Sequence, residues 1–474
     1  MPSQSSSPVR VVSRHIVKPP PRQRERIPVT LWDVAMLSAN YIQKGLLFAQ
    51  PPVPTAELVD HLDATLADAL AAYYPVAGRF VTEQHRDDHG DVVGSTVFID
   101  CGGQGVEIHH AVADGVAVGD VIPPDADIPL VVQSLFPLNG AINYDGHELP
   151  LFVVQVTELV DGAFLGFACN HSLCDGTAFW NFLNAWAEVA RARLAPAEAP
   201  PAEPESRPPP LFERWSPDGS AASTTMLPYA DLSALGKRPT PTPTPMRERM
   251  LHCPEESLAV LKERARQELL AAGDPAGAAA LTRFQALTSL VWRSISSARR
   301  LEPDQQTVCF VAADNRGRLR PPLPAEYLGN CIKLVLTGAV RASELVSRGH
   351  GWAAAAVGRA VAAHTDVSIR AHVAASAADP LLRPGRLFPA NAVLMGSSPR
   401  FDMYGCDFGW GKALAARSGR ANKMEGKASL YPGRDGGFDV EVAMLPEHMA
   451  ALEQDDELWA AVSPDAAPAW ATKE

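Results

Sequence analysis

Proline governs the middle of this chain. From Pro239 to Pro245 it takes every second position, and the stretch from Leu194 to Pro210 is largely alanine and proline. Proline lacks a backbone N–H and has a fixed φ, so this density excludes helix and central strand and favours extended polyproline II. The chain has 474 residues, enough for two domains with separate cores. Residues 194–248 therefore read as a crossover between a first domain, 1–193, and a second, 249–474. The competing reading is a long surface loop within one domain.

On the N-terminal side, Val11–Val17 reads as a strand. Thr55–Tyr74 carries Leu58, Leu62, Leu66 and Leu70 at helical spacing and stops at Pro75. Val92–Ile99 and Val106–Val112 are strand-like. Leu151–Thr157 and Phe164–Cys169 are apolar strands joined through Asp161-Gly162, a hairpin signal. Phe179, Phe182, Leu183, Trp186 and Ala190 then share one face of a helix. On the C-terminal side, helices are expected over Glu255–Leu270, Leu281–Ala298 and, unbroken, Ala342–Ala363. Strands are expected over Thr307–Ala312, Ile332–Leu336 and Val440–Leu445, with a last helix over Glu447–Asp455. Strands alternating with helices, hairpins included, make the class α/β in a mixed α+β arrangement.

Charge and cysteine usage narrow the function classes. A net charge of −12 provides no basic footprint for nucleic acid. No apolar run approaches the ~18 residues that cross a bilayer. Met1–Pro20 lacks the apolar core of a secretory signal. The seven cysteines are odd in number, widely spaced and without a C-x-x-C pair. That suits buried free thiols in a reducing compartment and not a disulfide frame or a zinc site. The expectation is a cytoplasmic protein with no membrane segment and no metal.

Asn170-His171-Ser172-Leu173-Cys174-Asp175-Gly176 stands between the apolar strand and the amphipathic helix. Such a turn projects a side chain at the end of a sheet, where α/β active sites lie. Imidazole titrates near neutral pH without help, so His171 is a candidate general base. The same H-x-x-x-D-G string recurs at His110, but no useful helix follows it, and His109 and His110 read as strand or surface histidines. Asp175 either orients the imidazole or forms a buried ion pair that fixes the turn. Cys174 reads as a small residue filling the turn more readily than as a nucleophile. No G-x-S-x-G, H-E-x-x-H or P-loop string is present. Asp407-Phe408-Gly409-Trp410-Gly411 implies tight backbone geometry. In Asp314-Asn315-Arg316-Gly317-Arg318, one arginine turned inward would need a carboxylate, with Asp175 and Asp407 the candidates.

His171-Ser-Leu-Cys-Asp175-Gly176 followed by Asp407-Phe-Gly-Trp-Gly411 resembles the plant BAHD acyl-CoA-dependent acyltransferases. Tyr74-Pro-Val-Ala-Gly-Arg79, Phe284-Gln-Ala-Leu287, Asp314-Asn-Arg316 and Tyr327-Leu-Gly-Asn-Cys331 extend the resemblance along nearly the whole chain. The resemblance implies two chloramphenicol-acetyltransferase-like domains, a crossover loop and a central channel. It implies an acyl-CoA co-substrate, a small alcohol or amine acceptor, no bound cofactor, and a monomer. His171 would be the general base in direct transfer without an acyl-enzyme. Asp175 would pair with an arginine, here Arg316. Asp407, Gly409, Trp410 and Gly411 would be structural. Thr282, Ser397, Ser398 and Phe408 would lie toward substrate and CoA. Leu328 replaces a usual phenylalanine, and Gly396-Ser397-Ser398 departs from the pattern of shikimate and quinate hydroxycinnamoyltransferases. The competing readings are a lyase using the same channel without CoA, and a non-catalytic ligand-binding protein.

Overall fold

Apolar strands collect into three sheets in a computed structural model that describes residues 8–194, 207–217, 225–229, 231–233, 245–378 and 388–462. Most of the expected crossover, including the alternating run from Pro239, lies outside the described residues. The first sheet has the order β1 (Val9–Val17), β6 (Val106–Ala113), β7 (Phe152–Glu158), β8 (Gly162–Cys169), β3 (Ile42–Ala49), β14 (Ala415–Ser418). β7 and β8 are the expected hairpin, with Glu158 opposite Ala163. Every residue of β8 is buried, which is why its sequence runs apolar without alternation. The last strand comes from far along the chain: β14 pairs antiparallel with β3, Ala415 opposite Leu47. A division at 194–248 leaves β14 across the boundary from the five strands it joins.

The second sheet runs β11 (Ile332–Leu336), β10 (Gln306–Asp314), β13 (Ala392–Ser397), β15 (Lys427–Pro432), β16 (Phe438–Met444), β9 (Arg247–Cys253), with β12 (Val340–Arg341) paired to β10. A small third sheet holds β2 (Arg26–Pro28), β5 (Val92–Asp100) and β4 (Arg79–Arg86). The amphipathic stripes pack on these sheets. Helix Gly176–Leu194 buries Phe179, Phe182, Leu183 and Trp186 against Phe152 and Phe167 of the first sheet. Helix Arg283–Ala298 buries Leu287, Leu290, Val291 and Ile295 against the second. No helix among the described residues is long and apolar enough to cross a membrane.

One expected helix is corrected. Ala342–Ala363 is two helices, Ala342–Ser347 and Gly349–Ala363. Gly349, the first residue of the second helix, has φ +86°, a left-handed conformation through which an α-helix cannot continue. The alanine-rich periodicity runs through this break and so conceals it.

β9 and β16 are clamped at His252, whose ring contacts Asp439 at 2.6 Å and Asp435 at 3.0 Å. The hydrogen bond to Asp439 leads in pushing the imidazole pKa up to about 9, against an ordinary 6.5. A pKa raised on folding stabilises fully below the unfolded value and loses that contribution as pH rises through about 9. His252→Gln is therefore expected to lower the thermal midpoint near pH 6 and to have little effect well above the raised pKa. Equal destabilisation at both pH values would show that the charge is not responsible.

Candidate functional site

β8 ends at Cys169 and a helix begins at Gly176; the residues between them form the turn that carries His171. Two buried asparagines shape it. Asn143 Oδ1 accepts the His171 N–H (2.7 Å), and Asn170 Oδ1 accepts the Ser172 N–H (2.9 Å). Asn170 Nδ2 donates to the Asn143 carbonyl at 2.8 Å. Asp175 starts the helix by accepting the Ala178 N–H at Oδ1 (3.1 Å), an N-cap.

His171 Nδ1 lies 3.1 Å from Asn330 Oδ1. The orientation of that amide follows from its other bonds. Asn330 Nδ2 donates to Asp33 Oδ1 (2.9 Å) and to the His171 carbonyl (2.7 Å), so Oδ1 is the end that accepts. The proton on His171 is thereby placed on Nδ1, and Nε2 carries the lone pair. Asp33 is fully buried, and its Oδ1 also accepts the Asn330 N–H at 2.8 Å. Its Oδ2 accepts the Thr30 N–H and hydroxyl. Asp33, Asn330 and His171 thus form one hydrogen-bonded series across three distant parts of the chain.

Asp175 faces away from the imidazole. Arg316 donates to both of its oxygens, Nη1 to Oδ2 at 2.8 Å and Nη2 to Oδ1 at 3.1 Å. Arg316 Nη2 also donates to the Tyr327 and Gly329 carbonyls, and the Cys331 N–H donates to Asp175 Oδ2 at 2.9 Å. Both charges are buried, at 0% exposure for Asp175 and 3% for Arg316. Burial works against the guanidinium charge, but Asp175 more than offsets it and the Arg316 pKa lies above its ordinary value. Arg318 takes a different direction and caps the helix Gly349–Ala363 through the Val361 and His364 carbonyls. Cys174 is fully buried beside Cys169 at 3.7 Å. The hydrogen bond with Cys169 and burial hold its thiol well above the usual range, which does not suit a nucleophile.

Asp407–Gly411 lies behind the turn. Asp407 Oδ1 accepts the N–H groups of Gly409 (2.8 Å) and Gly411 (3.0 Å). Both glycines have left-handed φ values, +113° and +103°, which accounts for their place in the motif. Trp410 stacks on Phe408 at 5.6 Å, and Phe408 meets Trp186 edge-on at 5.0 Å. The expectation that Phe408 meets substrate or CoA is corrected: its side chain is wholly enclosed by Phe48, Trp186 and Trp410. Asp407 does not reach Arg316. It holds the loop together, and Arg191 donates to its carbonyl at 2.5 Å.

His171 lines a cavity of ≈ 2660 Å³ walled by both large sheets. A pocket for one drug-sized ligand measures ~300–1,000 Å³, so there is room for two substrates. Thr282, Ser397 and Ser398 also line it. The Thr282 hydroxyl accepts the Gln285 N–H as an N-cap. Ser397 ends β13 with φ +62°, and its buried hydroxyl has no hydrogen-bond partner among the described residues. The walls carry nine lysine and arginine side chains against five carboxylates, the reverse of the chain's net −12. Among the described residues no three His, Cys, Asp or Glu side chains gather to hold a metal ion.

Residues 7–459 match the model of the Transferase family. A relative from Arabidopsis thaliana, 32% identical over 93% of this chain and 89% of its own length, is described as BAHD acyltransferase DCR. The chain belongs to the BAHD acyltransferases. It is an acyltransferase enzyme of that family. Another Arabidopsis relative, an uncharacterized acetyltransferase, is 32% identical over 95% of this chain and 98% of its own. The tobacco shikimate O-hydroxycinnamoyltransferase is 28% identical over 94% and 98%. Among solved structures, vinorine synthase superposes with a TM-score of 0.67 at 20% identity over 96% and 98% of the two chains. F. graminearum TRI101 complexed with ethyl coenzyme A superposes at 0.68 and 16% identity, over 93% and 100%. The fold is thus the chloramphenicol-acetyltransferase-like fold of this BAHD family, as the two motifs implied.

Asn330 stands in the Tyr327–Cys331 string, but the sequence marks neither it nor Asp33 and Asn143 as partners of the histidine turn. Nothing in their spacing points to His171. Asn330→Leu keeps the volume but removes the acceptor behind Nδ1. A hydrogen bond of this kind is worth ~1–3 kcal/mol, so kcat is expected to fall ~10–100-fold with little change in KM. An unchanged kcat in the folded variant would show that Asn330 does not position the ring.

Proposed function

We propose that this enzyme transfers an acyl group from an acyl-CoA thioester to a hydroxyl or amine of a small acceptor, with His171 as general base. The observation that carries the reading is the His171 ring on the cavity wall with Nδ1 held by Asn330. Nε2 takes the proton of the acceptor as its oxygen or nitrogen attacks the thioester carbonyl. The tetrahedral intermediate then expels the CoA sulfur, which receives the proton from the imidazolium. No covalent enzyme intermediate is required, and Cys174 is unsuited to form one.

The other residues support this chemistry without taking part in bond changes. Asp175 and Arg316 fix the turn. Ser397, with its hydroxyl otherwise unpaired, is available to hydrogen-bond a ligand. The excess of cations on the walls suits the phosphates of CoA. F. graminearum TRI101, a protein of this fold, has been solved complexed with coenzyme A and deoxynivalenol. In this reading the chain is two domains, 1–193 and 249–474, joined by the crossover, with the channel between them.

The test is thiol release from acetyl-, malonyl-, benzoyl- and coumaroyl-CoA, each with pooled alcohols and amines. Acceptor-dependent release matched by acylated product is expected. Turnover of a lone substrate without CoA would sink the proposal and favour a lyase.

A further inference from the structure

Lys44 is an unusual residue for the wall it occupies. It lies on β3 two residues beyond Ile42, which pairs with Cys169 just ahead of the His171 turn. Ile42 and Lys44 project from the same face of the strand and both line the cavity. The ammonium is half-buried, and desolvation there costs free energy unless something compensates the charge. Its hydrogen-bond partner among the described residues is a hydroxyl: Nζ donates to the Tyr431 hydroxyl at 2.7 Å and lies 4.3 Å from the centre of that ring. Among the described residues no carboxylate forms a direct ion pair with it.

Carboxylates are close by, but they are otherwise engaged. Glu441 is 2% exposed, and its Oε2 accepts the hydroxyls of Tyr431 (2.5 Å) and Ser418 (2.6 Å). Its Oε1 is held by Lys423, which also donates to Glu248 at 2.7 Å. Lys423 thus serves two carboxylates, while Lys44 reaches Glu441 only through Tyr431. A lysine ammonium has three donors, and the protein uses one of them here. The Tyr431 hydroxyl fixes the position of the ammonium and leaves it out of direct contact with Glu441.

We infer that the acceptor of this enzyme carries a carboxylate, which docks on the Lys44 ammonium. The inference rests on the acyltransferase reading and names the substrate class of that site. One ammonium held by one tyrosine matches a single anionic group, whereas the phosphates of CoA call for several cations together. Both are anions, so the experiment must separate them.

Matched acceptors provide the test: a phenolic acid, an aliphatic hydroxy acid and an amino acid, each beside its methyl ester. The readout is kcat/KM for the wild type and for Lys44→Met. A charged hydrogen bond is worth enough to give a ~10–100-fold preference for the acids. That preference is expected to vanish in Lys44→Met, with the KM for acyl-CoA unchanged and the same for dephospho-CoA thioesters. Wild-type turnover of the esters as fast as the acids would overturn the proposal, whatever the variant does. So would a raised KM for acyl-CoA in Lys44→Met, lost with dephospho-CoA thioesters, because the ammonium would then serve a CoA phosphate. If no acceptor supports thiol release, the acyltransferase reading itself fails. Calorimetry of each acid and ester pair then tests Lys44 separately, and acids that bind no tighter than esters refute it.

Discussion

Alanine in place of His171 is expected to reduce kcat/KM by ~100–10,000-fold in a chain that remains folded, because that is what positioned proton transfer is worth. The turn does not depend on the imidazole for its shape. Asn143 and Asn170 hold its backbone through bonds to main-chain groups, and Asp175 caps the helix beyond it. Loss of rate can therefore be assigned to the ring and not to collapse of the turn. The base must be neutral to act, so wild-type activity should fall on the acid side of the pH profile. A loss smaller than ~10-fold would mean that another group takes the proton.

Arg316→Met is expected to be the most destabilising single change near the site, by ~3–5 kcal/mol in urea unfolding, because it leaves a buried carboxylate without its counter-ion. Asp175 is fully buried and accepts two bonds from this guanidinium. The carbonyls of Tyr327 and Gly329 lose a donor as well. Changing Asp175→Asn in the same chain removes the charge that was stranded. The double variant should therefore be more stable than Arg316→Met alone, a coupling that a double-mutant cycle measures directly. Activity should fall too, since the Cys331 N–H bonds to Asp175 and Asn330 stands next to it. A cost below ~1 kcal/mol for Arg316→Met would place the pair among exposed ion pairs of little weight.

Much of this was legible where strong local patterns met. The hairpin of β7 and β8 and the helix after Gly176 were readable because an unbroken apolar run abuts an apolar stripe of helical period. His171 could be singled out because it stands at that junction. β3 escaped because its first residues, Ile42-Gln43-Lys44-Gly45, spoil the apolar pattern, and Lys44 faces a cavity that only the folded chain creates. β14 escaped because it is four residues long and includes Arg417. Two carboxylates could be nominated for Arg316, but only a contact between residues 141 apart decides for Asp175. Asn330 and Asp33 are 297 residues apart, and such a meeting leaves no mark on local spacing. The resemblance puts Phe408 toward substrate and CoA, whereas its ring belongs to the packing beside Trp186, which local sequence does not disclose.

The pairing of β14 with β3 also bears on the order in which this protein can be made. β3 leaves the ribosome early, while its partner, Ala415–Ser418, follows about 370 residues later. At ~5–20 residues per second, β3 waits roughly 20–75 s with its outer row of N–H and C=O groups unmatched. Leu46, Leu47 and Phe48 make that open strand a ready template for other nascent chains. This short edge strand is therefore the piece that ends a long exposure during synthesis, and a chain cut before Ala415 would keep the exposed edge permanently.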